Sequence, residues 1–274
     1  LPINSLPALF QKSFCKYINF FTHHPRKMIR NFLPKSFQNL LFGNRTKHGL
    51  VPDLKDPDWL EWLKKSVEIY SKVQKSNIGL VINNFGYKAI FRKIELNGKK
   101  ILEIGPGDLS HIEFWNSSPV SYTAVDINPE FLKMAAQKIK CPFYPVLLQD
   151  KNQILPFPDS TFDIVLSFYS LEHLYPLKFH LKEINRVLKD GGVLTGAIPN
   201  EGGVSWALGR ILTSKRWVQN NTSIEYNKII CWEHPNFADD ILFELNLIFP
   251  VVEKRYSPFN FLHSLDLNLV TSFI

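Results

Sequence analysis

The 274-residue chain has little cysteine, little methionine and no long apolar run. Its three cysteines, Cys15, Cys141 and Cys231, are far apart and odd in number. They offer neither a metal spacing nor a disulfide framework, which points to a reducing, cytoplasmic setting. No apolar stretch approaches the ~20 residues that a membrane-spanning helix needs. Asn19, Thr22 and His23 interrupt the early apolar residues, which argues against a secretory leader. The chain opens on Leu1 rather than Met, which leaves the true N-terminus open. No internal repeat or low-complexity tract is present.

Acid is absent from residues 1–50, which hold eight Lys/Arg: Lys12, Lys16, Arg26, Lys27, Arg30, Lys35, Arg45 and Lys47. The other 24 basic residues nearly balance the 25 acidic ones, so the net charge of +7 belongs to this arm. The arm is also rich in Phe, at positions 10, 14, 20, 21, 32, 37 and 42. The pattern predicts two amphipathic helices, near 6–21 and 26–42, broken at His23-His24-Pro25. Their apolar stripe is expected to pack on the main domain as a helical cap. Their basic face would suit an anionic membrane surface, touched peripherally, or a phosphate-bearing substrate. Basic charge alone is poor support for nucleic acid, and DNA or RNA is not the expected partner.

Residues 43–57 read as a linker, and 51–98 as a helical cap. Asp56-Pro57-Asp58 opens a helix carrying Trp59, Leu60, Trp62, Leu63, Val67, Ile69 and Tyr70, and a second helix is expected over 79–95. From Lys99 strands and helices alternate. Strands are predicted near 100–104, 121–126, 143–149, 162–167 and 192–198, and helices near 108–115, 128–139 and 176–189. Such alternation implies a doubly wound, mostly parallel sheet with helices on both faces. Residues 200–234 look like an insertion. A helix near 235–247, a strand near 249–256 and a closing edge strand within 260–274 complete the expected domain of 99–274.

The chemistry centres on Glu103-Ile104-Gly105-Pro106-Gly107-Asp108-Leu109-Ser110. A buried strand runs here into a glycine turn where a ligand can approach the backbone, and Asp108 or Ser110 would cap the next helix. Glu103 is unusual in a buried strand, because an unpartnered carboxylate there is costly. Asp126 ends the next strand, nineteen positions after Gly107, where an acid can accept both hydroxyls of a ribose. The third glycine of a nicotinamide-cofactor fingerprint is missing, which disfavours an NAD-dependent oxidoreductase.

Later stretches complete the pattern: Asp150 after the third strand, Leu155 to Ser167, Leu171-Glu172-His173-Leu174, and Glu183 to Leu194 with Gly191-Gly192. Taken in this order, residues 99–199 resemble the class I S-adenosylmethionine-dependent methyltransferases, in particular their small-molecule branch. The resemblance implies a Rossmann-like seven-stranded α/β sheet and S-adenosyl-L-methionine as cofactor. It implies that Glu103, Gly105, Pro106 and Gly107 hold the methionine part, and that Asp126 binds the ribose with Ile127 beside the adenine. It places Asp150 and the Lys151 backbone near the adenine amino group, and Ser167 at the methionine end. His173 and His234 are the candidate bases, with Glu172, Glu233 and Tyr169 nearby in sequence. Tyr169 stands where a metal-binding relative would carry a third acid, so no metal is expected by that route. The region after the fourth strand lacks the Asn/Asp-Pro-Pro-aromatic motif of nucleic-acid amino-methylating enzymes.

The expected activity is methyl transfer to an O or N nucleophile of a small or amphipathic acceptor, sugar- or lipid-linked. The competing expectation is a methyltransferase-like binding protein without turnover. Residues 200–234 are expected to form a lid, with hinges at Gly202, Gly203 and Gly209 and apolar cover from Trp206, Trp217 and Trp232. Arg210, Lys215 and Arg216 would favour an acceptor carrying phosphate or carboxylate.

Overall fold

The computed structural model describes residues 28–74, 76–150, 153–250 and 253–274. The helix expected over 6–21 and the position of Lys151 lie outside these. Seven strands form one sheet: β1 (Lys100–Ile104), β2 (Ser121–Asp126), β3 (Phe143–Leu147), β4 (Phe162–Phe168), β5 (Leu188–Pro199), β6 (Lys254–Ser257) and β7 (Val270–Phe273). Their order is β3-β2-β1-β4-β5-β7-β6. The first five pair in parallel, and β7 runs antiparallel to both neighbours. Chain order reverses between β1 and β4, the switch point at which a doubly wound sheet opens a ligand crevice.

Alternate residues of β1 feed opposite layers. Leu102 and Ile104 join Val165, Leu181, Ile184 and Ile241 on one face, under the helices Leu177–Val187 and Ala238–Ile248. Ile101 joins Tyr122, Leu166, Ile90 and Phe91 on the other, under the helix Asn77–Phe91. Each fully buried Leu or Ile contributes about 1.5–3 kcal/mol of transfer free energy, which makes β1 and β4 the anchor of the sheet.

Several local expectations are corrected. The tail is not a closing edge. β7 lies between β5 and β6, its four residues all buried, and β6 forms the edge. The helix expected over 108–115 is a 3-10 turn, Ser110–Phe114, with Leu109 left-handed before it and no side-chain cap. Asp108 is unavailable as a cap because its carboxylate accepts from Tyr70 Oη (3.0 Å), Ser110 Oγ (2.6 Å) and Lys138 Nζ (3.0 Å). The helix expected over 26–42 is split by Leu33-Pro34 into a 3-10 turn, Ile29–Phe32, and a helix, Lys35–Phe42. Proline supplies no N–H to continue the ladder. The linker over 43–57 contains one short helix, Arg45–His48.

The described part of the arm turns two of its cations inward. Arg30 pairs with Asp239 at 2.6 Å, and Arg30 and Arg45 lie 4.2 and 3.4 Å from the Phe237 ring centre. Arg45 also donates to the carbonyls of Pro235 (2.5 Å) and His234 (2.7 Å). These two charges are taken up in packing within the fold.

Residues 200–234 form helices at Val204–Arg210, Arg216–Asn221 and Tyr226–Glu233, with a π turn at Ile211–Lys215. They share an apolar cluster with the cap helix Pro57–Ile69, in which Trp59 and Trp232 meet edge to face at 6.0 Å. That cap helix begins as its sequence dictates, with Asp56 accepting from the N–H groups of Asp58 and Trp59 and Pro57 at its start.

Candidate functional site

A cavity of about 710 Å³ opens at the carboxyl ends of β1, β2, β4 and β5. Its size lies within the usual range for small-molecule sites, roughly 300–1,000 Å³. Gly105 and Gly107 form part of its wall, with φ of 66° and 55°. A Cβ at Gly105 would sit 2.9 Å from the Ser170 Cβ, and one at Gly107 would sit 2.9 Å from the Tyr70 hydroxyl. Both the left-handed backbone and the lack of space require glycine here. Pro106, Asp126 and Ile127 line the same wall.

Asp126 ends β2 with its carboxylate accepting from the Asn128 N–H at 2.8 Å. Burial pushes its carboxyl up to about 6, against the Asn128 and Ile127 N–H groups, which favour the charged form. Ile127 is exposed beside it, as a residue flanking a planar ring would be.

Two expected contacts act at one remove. Glu103 is fully buried and does not reach the cavity wall. Its carboxylate accepts from Tyr122 Oη at 2.5 Å and from His111 Nε2 at 2.8 Å. Trp115 Nε1 donates to His111 Nδ1 at 3.0 Å, so the ring proton sits on Nε2. Glu103 thereby fixes His111, which does line the cavity. Ser167 is also fully buried; its Oγ lies 2.5 Å from Ser170 Oγ, which donates to the Ile104 carbonyl at 2.7 Å. Ser170, rather than Ser167, reaches the wall. Asp150 stands exposed beyond the end of β3 and outside the lining, where Leu148 and Gln153 take the wall.

The two candidate bases meet. His173 and His234 are 61 positions apart in the sequence, yet their rings pack edge to face with centres 4.7 Å apart on the cavity wall. His173 Nδ1 lies 2.6 Å from the Glu233 carbonyl, and His234 Nδ1 lies 2.8 Å from Glu201 Oε2. Both partners can only accept, so each Nδ1 carries a proton, and the His234 ring, when neutral, keeps Nε2 as an acceptor. Burial lowers the His234 pKa, only partly offset by Glu201, so the ring is neutral near pH 7.

Glu201 was not foreseen. It is buried, accepts from Trp206 Nε1 at 2.8 Å, and is paired with Arg210. Burial pushes its carboxyl up, but Arg210 and then His234 outweigh this and hold it well below the usual carboxylate range. Arg210 also donates to the Leu41 carbonyl at 2.7 Å, so its charge is not offered to an acceptor's phosphate. Lys215 likewise donates to Asn227 at 3.0 Å. Glu172 is buried on the cavity wall with Oε2 unpartnered, and burial pushes its carboxyl up to about 7 despite His173.

The remaining lining is mostly aromatic and aliphatic, including Trp62, Tyr70, Tyr87, Phe131, Phe168 and Trp206. Tyr169 follows β4 in the left-handed region (φ 55°), held by its hydroxyl donating to the Asn83 carbonyl at 2.9 Å. A strained non-glycine residue at a sheet edge is a common mark of a binding site.

Residues 102–195 match the family model of a methyltransferase domain. The sheet has the same fold as an S-adenosylmethionine-dependent methyltransferase from Mesorhizobium loti (15% identity, TM-score 0.50, covering 70% of this chain and 98% of that one). It also matches the CurJ carbon methyltransferase in fold (18% identity, TM-score 0.52, covering 77% and 57%). Residues 102–195 thus form a methyltransferase domain, and the sheet has the fold of the S-adenosylmethionine-dependent methyltransferases. Over 109 residues the chain is 34% identical to a probable phthiotriol/phenolphthiotriol dimycocerosates methyltransferase of Mycobacterium ulcerans, covering 39% of this chain and 42% of that protein. It is 28% identical over 152 residues to an uncharacterised protein of Methanocaldococcus jannaschii, covering 56% of each. The chain spans about half the length of the curated relatives it matches.

Proposed function

We propose that the protein is an S-adenosylmethionine-dependent methyltransferase acting on a hydroxyl, or an amine, of a small amphipathic acceptor. The observation that carries this is the meeting of two elements on one cavity: the glycine turn with Asp126, and the neutral His234 with a free Nε2. The cradle fits the cofactor, because the positions next to the chain at Gly105 and Gly107 are where side chains would intrude. Gly105, Gly107 and Asp126 would hold S-adenosylmethionine, with Ile127 beside the adenine. When bound, it supplies an activated methyl group to a nucleophile aligned behind it.

The chain's own contribution is alignment, exclusion of water and proton removal. His234 Nε2 accepts the proton of the acceptor's hydroxyl. Glu201 holds the ring in the required tautomer and favours the cation that results. The aromatic lining keeps the site dry. The Mycobacterium ulcerans relative carries phthiotriol and phenolphthiotriol in its name, which supports a hydroxyl-bearing, apolar acceptor for this chain too.

Isothermal calorimetry with S-adenosylmethionine and with NAD separates the methyltransferase from the oxidoreductase alternative. Binding of the former alone is expected; binding of NAD alone would end the proposal. Formation of the demethylated cofactor over a panel of amphipathic alcohols and amines then distinguishes an enzyme from a silent binding protein.

A further inference from the structure

The turn Leu171–His173 after β4 carries Glu172 onto the cavity wall. Ser170 and His173 bracket it in the chain, and each touches one half of the site. Ser170 packs against Gly105, where an added Cβ would sit 2.9 Å from its own Cβ. The His173 ring meets His234 at 4.7 Å. Asn236, itself buried, pins the turn: its Nδ2 donates to the carbonyls of Leu171 at 2.9 Å and Leu174 at 2.6 Å. The Glu172 carboxyl is thus carried on a fixed backbone, as a recognition group must be.

That carboxyl lacks a partner. Oε1 lies 3.8 Å from His173 Nε2, beyond hydrogen-bond reach, and Oε2 is buried with no hydrogen bond from any described residue. Among the described lining residues Arg210 is the only Arg or Lys, and it is paired with Glu201. Glu172 is only 2% exposed, so bulk water does not make good the missing bonds. Buried polar groups are as a rule hydrogen-bonded, and an orphan bears its full desolvation cost. Buried side-chain oxygens of Asp239, Glu244 and Ser272 are also unpartnered, but none of those residues lines the cavity. On a cavity wall, the group that completes such a carboxyl belongs to the ligand.

We infer that Glu172 is a specificity-determining residue that accepts a hydrogen bond from a second polar group of the acceptor, a hydroxyl or an ammonium close to the nucleophile. The acceptor's class is then an amphipathic diol or amino alcohol, one group meeting His234 Nε2 and the other Glu172. This rests on the methyltransferase reading of the cavity. A mono-alcohol of the same length leaves the carboxyl unmet, and a site built to bond a polar group rejects the analogue that lacks it.

The test is calorimetry on the full chain with octane-1,2-diol, 2-aminooctan-1-ol and octan-1-ol, each with the demethylated cofactor present. The diol, the amino alcohol or both are expected to bind roughly ten- to a hundredfold more tightly than the mono-alcohol. In Glu172→Leu the three affinities should converge, whereas Glu172→Gln, whose amide oxygen still accepts, should keep part of the preference. A merely structural role would weaken all three ligands together and leave their ratios as they were. Preference for the amino alcohol alone identifies the second group as an ammonium; preference for the diol identifies a hydroxyl. Equal affinities in the native chain, no binding of any of the three, or a preference unaltered in Glu172→Leu overturns the assignment. Should Glu172→Leu fail to fold, a reduced preference in Glu172→Gln supports the assignment and an unchanged one overturns it. Absence of cofactor binding would instead contradict the proposed activity; the same titrations on the cofactor-free chain, with the preference present or absent, then decide for or against Glu172.

Discussion

His234 Nδ1 donates to Glu201 Oε2 at 2.8 Å, and that carboxylate is buried against Arg210. One buried acid thus orients a cavity-facing imidazole and neutralises a buried guanidinium. Glu201→Gln is expected to destabilise the fold by about 3–5 kcal/mol, since it leaves Arg210 uncompensated. Urea unfolding measures it; a loss below about 1 kcal/mol would show that the pair is not buried in solution. In the fraction that folds, turnover should fall by roughly 10²–10⁴, the usual worth of a positioned base.

The Glu201 shift also sets an acid limit. A carboxyl held below its unfolded value contributes stability that is present above that value and is lost as pH falls from it through the lower folded value. Glu172 has the opposite sign. Its folded carboxyl sits at about 7, above its unfolded value, so the unfolded chain releases the proton first as pH rises. Its destabilising effect therefore grows from about pH 4.5 and is complete above about pH 7. Glu172→Gln is expected to raise the melting temperature at pH 8 but barely at pH 5. An equal change at both pH values would refute the assignment.

Gly107→Ala places a Cβ 2.9 Å from the Tyr70 hydroxyl at a φ of 55°. The backbone costs about 1–2 kcal/mol, and Tyr70 must leave its bond to Asp108. Cofactor affinity should fall while the circular dichroism spectrum stays native. Unaltered affinity would remove the glycine turn from the binding site.

A mobile lid at 200–234 is a further prediction. This segment supplies Trp206, Gly209, Tyr226 and Ile229 to the cavity wall. Of the expected hinges, Gly209 has open space, whereas Gly202 packs on Phe237 and Gly203 on the Leu265 carbonyl. Motion is therefore expected about Gly209 rather than at the start of the segment. Hydrogen exchange with and without the demethylated cofactor should slow around residues 204–215; full protection in the free protein would exclude the lid.

The sheet was legible because its strands are short apolar runs bounded by glycine, proline and acid. β7 was misplaced because burial on both sides looks the same in sequence as burial on one. Glu103 showed its need for a partner, but not that His111 and Tyr122 would supply it, since that depends on the turn after β1 and the register of β2. The meeting of His173 with His234 was invisible as well: it requires the end of the helix Tyr226–Glu233 to pack against the turn Leu171–His173 that follows β4. Glu201 carried no motif, only a place just after Pro199 at the end of β5.

The most direct test is calorimetric titration of S-adenosylmethionine into the native chain and Asp126→Ala between pH 5 and pH 8. Because burial holds the Asp126 carboxyl at about 6, its ionised form, which on the proposed reading would accept from both ribose hydroxyls, is present above that value and lost below it. Native affinity should therefore rise with pH through about 6, and Asp126→Ala should bind more weakly at pH 8 by about 1–3 kcal/mol, with that pH dependence gone. Equal affinity of the two proteins at pH 8 would contradict the account.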